Sequence, residues 1–179
     1  MKKFVLVCAS VLLIYTPSFA YQSLQEVFDN AGPGQGYDIY IELDPEIEYL
    51  GDLYIYDGEV VRIVGNGARI HVTPTRQGIV VDFSTLDISG CVFIGGLFNL
   101  YYGYNSQGRI FNNTFYSPDS LASIGVDYTD WFTDIEIYNN IISGAPYGIL
   151  ATEDNIPEFI DYNIVYNSDF EHYAYICPG

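Results

Sequence analysis

The segment IEIYNNII, at residues 135–142, alternates apolar and polar side chains and then turns at two asparagines. An alternation with a period of two is typical of a β-strand, and asparagine is a common turn residue. The same pattern recurs in LDISGCVF at 86–93, GRIFNNTF at 108–115 and FIDYNIV at 159–165. The leading isoleucines of these segments, Ile88, Ile110, Ile137 and Ile160, are 22, 27 and 23 residues apart. The chain therefore contains an internal repeat.

The repeat extends towards the N-terminus and has a second series of strands. Ile63 precedes Ile88 by 25 residues, and a further step of 24 residues reaches Ile39. Short apolar segments that begin at Ile79, Phe98, Ile124, Ile149 and Tyr173 follow one another at intervals of 19, 26, 25 and 24 residues. Each repeat thus holds at least two short strands, and helical periodicity is nearly absent after residue 31.

A repeat of about 24 residues made of strands and turns predicts a parallel β-helix, in which each coil stacks on the next about 4.8 Å away. We expect about six coils over residues 21–179, with the isoleucines in one interior column. A leucine-rich repeat has a similar length, but its Leu-x-x-Leu-x-Leu pattern does not occur here. A β-sandwich is the alternative all-β fold, and it does not predict matched residues in successive repeats.

Two rows of matched residues support this alignment. The third residue after each isoleucine is Cys91, Asn113, Asn140 or Asn163, and stacked asparagines can bond to each other between coils. The residue before each isoleucine is Arg62, Asp87, Arg109, Glu136 or Phe159. These side chains point outward, and their alternating charges place each cation between two anions of neighbouring coils.

The residues that follow the leader predict a short helix. Ser23 and Glu26 form a capping box, and Leu24, Val27 and Phe28 share one helical face. We expect this helix to cover the first coil, because an uncovered coil would expose strand edges.

Residues 1–20 have the features of a secretory signal peptide: two lysines, an apolar run from Phe4 to Tyr15, and Ser18 and Ala20 before the cleavage point. The sequence therefore predicts a protein that is secreted, periplasmic or on the cell surface. Cys91 and Cys177 remain after cleavage, about three coils and roughly 14 Å apart, so we expect two unpaired thiols rather than a disulfide.

The composition excludes several functions. The net charge is −17, and outside the leader the chain has four arginines and no lysine. Such a chain is a poor ligand for nucleic acid or anionic membranes, since phosphate neutralisation needs many cations. No segment after the leader is long and apolar enough to predict membrane insertion.

These features resemble the right-handed parallel β-helix proteins of the pectin-lyase-like superfamily, over most of residues 22–179. The resemblance rests on the opening helix SLQEVFDNAG, the turn Val64-Gly-Asn-Gly67, and the pairs Asn112-Asn113 and Asn139-Asn140. It implies a right-handed helix in an exported protein that handles polysaccharide, as a lyase, a hydrolase or a binding surface.

The chain departs from the catalytic patterns that this resemblance implies. Lyases of this fold use an Arg or Lys base, often with Ca²⁺, and here Arg62 and Arg109 belong to the charge row, which leaves Arg69 and Arg76. The Asn-Thr-Asp turn and paired aspartates of the related hydrolases do not occur. Whether the protein is an enzyme is therefore left open by the sequence.

Candidate site residues follow the second strand of each coil. Asp82 and Asp127 lie on one face about 9–10 Å apart, near the roughly 6.5–9.5 Å spacing of inverting glycosidases, so they are candidate acid and base groups. Asp130 is a third catalytic candidate. Trp131, Tyr101 and Tyr102 are candidate sugar-binding residues, because an aromatic ring suits the apolar face of a sugar. For the aspartates, the alternative is a solvated acidic face. For the tyrosines, the alternative is that they stack on each other, and the same two interpretations apply to Tyr104, Tyr138, Tyr162 and Tyr166.

Two acidic loops, with Asp44, Glu46, Glu48 and Asp52 in one and Glu153, Asp154 and Glu158 in the other, are interpreted as solvated turns, with Ca²⁺ binding as the alternative. We expect no other metal or cofactor, since His71 and His172 fall in different coils. The sixth coil should close near residue 184, so we expect further coils or a partner chain beyond Gly179. The predicted function is the binding or cleavage of extracellular polysaccharide, and the alternative is a non-catalytic adhesive or structural solenoid.

Overall fold

The computed structural model describes residues 21–126, 134–152, 157, 159–166 and 173–176, so the predicted leader lies outside the described residues. One short helix and twenty strands make up the described part of the chain. In chain order they are β1 (Gln22–Ser23), α1 (Leu24–Asp29), β2 (Gly32–Gly34), β3 (Tyr37–Glu42), β4 (Glu48–Leu50), β5 (Leu53–Ile55), β6 (Val60–Val64), β7 (Arg69–Val72), β8 (Gln77–Val81), β9 (Thr85–Ser89), β10 (Val92–Gly95), β11 (Phe98–Tyr102), β12 (Gly108–Phe111), β13 (Thr114–Tyr116), β14 (Ala122–Val126), β15 (Ile135–Tyr138), β16 (Ile141–Ser143), β17 (Tyr147–Thr152), β18 (Phe159–Asp161), β19 (Ile164–Tyr166) and β20 (Tyr173–Ile176).

The strands form three sheets that the chain visits in rotation, and every pair is parallel except that of β2 with β3. Sheet 1 has the order β1-β4-β7-β10-β13-β16-β19, sheet 2 has β5-β8-β11-β14-β17-β20, and sheet 3 has β2-β3-β6-β9-β12-β15-β18. Each coil contributes one strand to each sheet, and coil follows coil about six times. The predicted parallel β-helix of about six coils is therefore confirmed, and a β-sandwich is excluded.

The predicted isoleucine column is present in sheet 3. Ile63 pairs with Ile88, Ile88 with Ile110, Ile110 with Ile137, and Ile137 with Ile160. From Ile63 to Ile137 these side chains are fully buried, so the repeat identified in the sequence is the core of the fold. Burial of one such side chain contributes about 1.5–3 kcal/mol.

Two members of the predicted columns were wrong by two residues. Ile41, not Ile39, pairs with Ile63, and Leu100, not Phe98, pairs with Ile79. Residues two apart in a strand point to the same side, so the alternation of the sequence alone does not choose between them.

The predicted asparagine row is confirmed as a hydrogen-bonded ladder. The side-chain oxygen of Asn113 accepts from the Cys91 amide at 3.0 Å, and that of Asn140 accepts from the Asn113 amide at 2.9 Å. Asn163 continues the series by accepting from the Asn140 amide at 3.0 Å. The residue before each asparagine, Asn112, Asn139 or Tyr162, has a φ between 56° and 58°, which makes the corner tight. The ladder thus satisfies backbone groups that the corner removes from the sheets.

The N-terminal end of the solenoid is covered by three elements rather than by the helix alone. Strand β1 pairs with β4 in sheet 1, and β2 forms an antiparallel pair with β3 in sheet 3. Helix α1 lies over sheet 2, where the Gln25 side chain accepts from the Tyr54 amide at 3.1 Å. As predicted, Ser23 caps the helix by accepting from the Glu26 amide, and Leu24 and Phe28 are buried. Each sheet edge at this end therefore has a cover.

Cys91 lies inside the solenoid as a free, buried thiol. Burial raises the pKa of this thiol to about 12, since the interior does not solvate a thiolate. The prediction of an unpaired thiol is thus confirmed for Cys91, whereas Cys177 lies outside the described residues. In the described part of the chain, no helix is both long and apolar enough to span a bilayer.

Candidate functional site

A surface pocket of about 260 Å³ opens on the outer face of sheet 3, across the third, fourth and fifth coils. Strands β9, β12 and β15 supply most of its wall, and the residues just before β12 and β15 complete it. Its lining consists of Thr85, Asp87, Gln107, Gly108, Arg109, Asp134 and Glu136. We call this the ionic pocket, because four of these seven side chains carry charges.

The ionic pocket is built on the charge row predicted from the sequence. The row has the expected alignment: Arg62 pairs with Asp87, Arg109 with Glu136, and Glu136 with Phe159. Side chains at these positions point outward because the neighbouring isoleucines point inward. Polar positions one coil apart therefore meet on one rigid face.

Asp87 and Arg109 form an ion pair at the base of the pocket. The Arg109 Nε donates to Asp87 Oδ2 at 3.0 Å, its Nη2 makes a second bond to the same oxygen, and its backbone amide donates to Oδ1 at 2.9 Å. The Tyr37 hydroxyl, from the first coil, also donates to Asp87 Oδ2, at 2.7 Å. The Asp87 side chain is only 7% exposed, and these four hydrogen bonds satisfy its carboxylate in place of water.

These contacts set the ionisation of the pair. Burial by itself would raise the pKa of Asp87, but the hydrogen bonds from Arg109 and Tyr37 outweigh it and lower the pKa. The same carboxylate raises the pKa of Arg109. Burial and the bond to Asp87 raise the pKa of the Tyr37 hydroxyl. At neutral pH the base of the pocket therefore holds a fixed carboxylate and a fixed guanidinium.

Arg62 departs from the predicted alternation. Its Nη2 donates to Ser89 at 2.6 Å, and its guanidinium lies 4.9 Å from the centre of the Phe111 ring, so it makes no ion pair with Asp87. The Asp87 carboxylate already accepts hydrogen bonds from Arg109 and Tyr37, and the Arg62 side chain instead extends along the sheet towards Ser89 and Phe111. The expectation that each cation lies between two anions was therefore wrong, and of the four charged residues of this row only Arg109 and Asp87 form an ion pair.

The acidic side of the ionic pocket is open. In the part of the chain that the structure describes, the carboxylates of Asp134 and Glu136 make no hydrogen bond or ion pair. Thr85 and Gln107, which face each other across neighbouring coils, add uncharged donors and acceptors. Two free carboxylates beside an amide and a hydroxyl can accept and donate hydrogen bonds to a polyhydroxylated ligand.

An exposed aromatic pair lies at the corner that precedes strands β9 and β12. Phe83 and Tyr104 stack with ring centres 6.1 Å apart, and they are 58% and 55% exposed. Phe83 has a φ of 52°, a conformation that a bulky residue rarely adopts. Phe83 lies two residues before Thr85, and Tyr104 three before Gln107, so the pair is close to the pocket along the chain, although neither residue belongs to its lining. Phe83 was not among the residues predicted from the sequence.

A second aromatic row lies on the other side of the pocket and is closed. Phe111 and Tyr138 stack at 5.2 Å, with Arg62 on the other side of Phe111 and Phe159 edge-on to Tyr138. Since the ring faces are occupied within the row, these aromatics stabilise the stack of coils rather than offer a surface to a sugar. For Tyr138, the alternative of mutual stacking is the correct one.

The predicted sugar-binding tyrosines do not lie in the ionic pocket. Tyr102 is fully buried, and its hydroxyl donates to the Leu86 carbonyl at 2.9 Å, so its assignment to the surface was wrong. Tyr101 is half-buried and packs edge-on against Phe98 at 5.4 Å. The error arose because Phe98, instead of Leu100, was aligned with Ile79, so the later residues of β11 were assigned positions two residues too far along the strand.

Asp82 also lies outside the pocket, at the end of sheet 2. It is level with Gly103 rather than with Tyr101, since Val81 pairs with Tyr102. Its Oδ1 accepts from the Tyr104 amide at 3.1 Å, and a Cβ at position 103 would lie 2.0 Å from that oxygen. Asp82 thus supports the corner that carries the exposed aromatic pair. The other candidates, Asp127, Asp130 and Trp131, lie outside the described residues.

Three of the four acidic residues of the early loop have partners in the protein, since Asp44 accepts from the Glu46 amide and Glu48 and Asp52 form ion pairs. Glu48 pairs with Arg69 at 3.2 Å and lies 2.8 Å from His71, and Asp52 pairs with Arg76 at 3.4 Å. Among the described residues, no group of three or more acidic, histidine or cysteine side chains could hold a metal ion. Glu153, Asp154, Glu158 and His172 lie outside that part of the chain.

Comparison of the chain with protein-family models, with curated proteins and with solved structures found no match. The fold and the ionic pocket are therefore the basis of the functional proposal.

Proposed function

We propose that this chain is an exported parallel β-helix that binds extracellular polysaccharide at the ionic pocket. The observation that carries the proposal is the pocket itself, with two carboxylates without partners, an amide and a hydroxyl on a rigid sheet. The exposed Phe83–Tyr104 pair lies two to three residues away from the pocket along the chain. Hydrogen-bonding groups next to an aromatic surface match the hydroxyl-rich edge and the apolar face of a sugar ring. The signal-like leader at 1–20 supports export.

We further propose that the solenoid belongs to the pectin-lyase-like superfamily. Three features support this assignment: the parallel sheets of about six coils, the helix α1 over the first coil, and the ladder of Asn113, Asn140 and Asn163. These features concern the scaffold, so the activity has to be argued from the pocket.

The charges of the pocket favour binding of an uncharged glycan over cleavage of a polyuronate. Among the described residues that line the pocket, Arg109 is the only cation, and its bonds to Asp87 keep it protonated, so it does not act as a base. Asp134 and Glu136 leave the open side negative, which repels a uronate carboxylate. Binding of a neutral polymer requires no base and is not opposed by the charges of Asp134 and Glu136.

Binding can be tested with a panel of soluble neutral and uronate oligosaccharides, measured by calorimetry. The double variant Asp134→Asn/Glu136→Gln should weaken binding of the preferred neutral glycan by about tenfold or more, since bonds to charged groups contribute about 1.5–3 kcal/mol. The matched control is Glu46→Gln/Asp119→Asn, which changes the net charge equally at exposed sites elsewhere. Equal losses in both variants, or no binding by any glycan, would show that the pocket is not a glycan site.

Product analysis separates binding from cleavage. Incubation of the same glycans with and without Ca²⁺, followed by assays for new reducing ends and unsaturated products, should give no product if the pocket only binds. Product that disappears in the Asp134→Asn/Glu136→Gln variant would replace a binding function with a catalytic one.

A second candidate is a structural or adhesive solenoid that contacts other macromolecules. The observation that favours it is the outer face of sheet 1, where Tyr116, Ile141, Ile164 and Tyr166 are 48–65% exposed. This candidate predicts no glycan affinity at the ionic pocket and an association that depends on sheet 1.

A further inference from the structure

The outer face of sheet 1 is uncharged over four consecutive coils. We call it the apolar face, and it consists of Val92, Ile94, Thr114, Tyr116, Ile141, Ser143, Ile164 and Tyr166. Tyr116, Ile141, Ile164 and Tyr166 are 53%, 48%, 62% and 65% exposed. The chain carries 23 acidic residues, and none of these eight positions holds one. Apolar side chains exposed together, without charges, are typical of a protein contact.

The pairing of the strands arranges the apolar face as two straight columns. Val92, Thr114, Ile141 and Ile164 form the first column, because each pairs with the next across β10, β13, β16 and β19. Ile94, Tyr116, Ser143 and Tyr166 form the second column in the same way. Successive members of a column are about 4.8 Å apart.

The two columns are complementary to themselves under a two-fold rotation. Consider an axis that runs along the strands, midway between β13 and β16. This rotation places Tyr116 opposite Ser143 and Ile141 opposite Thr114, and so sets a large side chain against a small one in both central pairs. Ile164 then lies opposite Val92 and Tyr166 opposite Ile94, which keeps the outer pairs apolar.

We propose that the apolar face is the contact between two copies of this chain, packed sheet against sheet with their solenoid axes antiparallel. In this arrangement Tyr116 of each copy fills the space above the partner's Ser143. Strands of facing sheets pack about 10 Å apart, a distance that these side chains span. The proposal is independent of glycan binding, since the ionic pocket lies on sheet 3.

Charge favours this face for self-association over the outer face of sheet 3, which carries Arg62, Asp87, Arg109 and Glu136. With a net charge of −17, two copies repel each other, and only contact through an uncharged surface avoids placing carboxylates together. Salt screens this repulsion, with a Debye length of about 8 Å at physiological ionic strength. The dimer should therefore become stronger as salt is added, whereas an association through ion pairs would become weaker.

The size of the apolar face indicates a weak dimer. Four coils at about 4.8 Å and three residues of strand at about 3.3 Å give a footprint of roughly 19 by 10 Å. A standard interface buries about 800 Å² per partner, so this contact falls in the small, transient class. We expect a dissociation constant on the order of 100 µM.

Sedimentation velocity of the purified chain from 10 µM to 1 mM tests the proposal. The expected result is a monomer–dimer equilibrium that shifts towards dimer between 0.05 and 0.5 M NaCl. Ile141→Glu should abolish the dimer, whereas the control Leu121→Glu, at a residue 41% exposed outside the apolar face, should leave it unchanged. Circular dichroism checks that each variant is folded.

A pair of substitutions tests the two-fold arrangement itself. Ser143→Tyr should abolish the dimer, because two tyrosines then meet in each central pair. The exchange Tyr116→Ser/Ser143→Tyr should restore the dimer, since each large side chain again faces a small one.

Three results would overturn the proposal. The first is a monomer at every concentration, and the second is loss of the dimer in Leu121→Glu as well. The third is a failure of the Tyr116→Ser/Ser143→Tyr exchange to restore association, which would exclude this two-fold packing. A monomeric chain whose Ile141→Glu variant loses adsorption to an insoluble neutral polysaccharide would instead identify the polymer as the occupant of the apolar face.

Discussion

Arg109 and Asp87 lie one coil apart and form an ion pair that links two strands of sheet 3 at the base of the pocket. The Asp87 side chain is 7% exposed and that of Arg109 is 47% exposed, so the carboxylate is enclosed while the guanidinium reaches solvent. Tyr37 adds a third coil to the same contact by donating to Asp87. A charged group with donors from two other coils should stabilise the stack in a pH-dependent way.

Asp87→Asn should lower the free energy of unfolding at pH 7 by about 2 kcal/mol, because the charged acceptor of Arg109 and Tyr37 is lost. The folded-state pKa of Asp87 is lowered, so its contribution is complete above the ordinary pKa of about 3.9 and is lost as the pH falls through the folded value. Urea unfolding at pH 7 and pH 3 should show a smaller difference from the wild type at the lower pH. The exposed Asp119→Asn serves as control, and an equal deficit at both pH values would contradict the assignment.

Asn140→Ala should destabilise the protein by about 3 kcal/mol. Asn140 accepts from the Asn113 amide and donates to the Ile110 carbonyl at 2.8 Å, so its removal leaves buried backbone groups without partners. The neighbouring Asn139→Gly is the matched control, because glycine readily adopts the φ of 56° found there and should change stability by less than about 1 kcal/mol. Chemical unfolding of both variants measures the difference, and similar losses would mean that the ladder contributes little.

Gly108→Ala should cost about 3 kcal/mol or more. Gly108 has a φ of 135°, and a Cβ there would lie 2.0 Å from the Leu86 carbonyl oxygen, so the strands must separate beside the pocket. Gly32→Ala is the control, since nothing lies within 4 Å of its Cβ position and its φ is not in the left-handed region. A thermal unfolding midpoint for Gly108→Ala equal to that of Gly32→Ala would show that the close contact is absent in solution.

Phe83→Asn should raise the stability by about 0.5–1 kcal/mol, since asparagine tolerates the left-handed backbone better than a bulky residue does. Under the proposed function, the same change should weaken glycan binding, because it removes half of the exposed aromatic pair. Leu97→Asn, at a residue 37% exposed without a positive φ, should give neither effect. Unaltered glycan affinity in Phe83→Asn would remove the pair from the proposed site.

The repeat could be aligned from sequence wherever successive coils have the same corner. Ile88, Ile110, Ile137 and Ile160 are each followed by the next strand of sheet 1 after the same number of residues, so their spacing was enough. The corner after Ile63 is longer, yet Ile63 was aligned correctly, whereas the alignment failed at Ile39 because Ile39 and Ile41 lie on the same side of β3. Because inward positions recur every second residue, a shift of two keeps the hydrophobic pattern and escapes detection.

The candidate site was predicted less well than the fold. The sequence placed Asp87, Arg109 and Glu136 in one outward row, but the row was interpreted as a device that aligns the coils. Tyr37 donates to Asp87 across 50 residues of sequence, and such a contact has no local signal. Tyr102 was placed on the surface because a shift of two residues in β11 moved the position expected to end that strand.

The sequence by itself determined the solenoid, because inward isoleucines and corner asparagines recur with the period of one coil and every coil obeys the same packing rule. Only the tertiary structure decided which charges meet, that Asp87 is enclosed while Glu136 stays open, and that the face of sheet 1 is uncharged over four coils. The physical reason is that burial depends on the local pattern of each strand, whereas pairing between side chains depends on the exact alignment of one coil with the next.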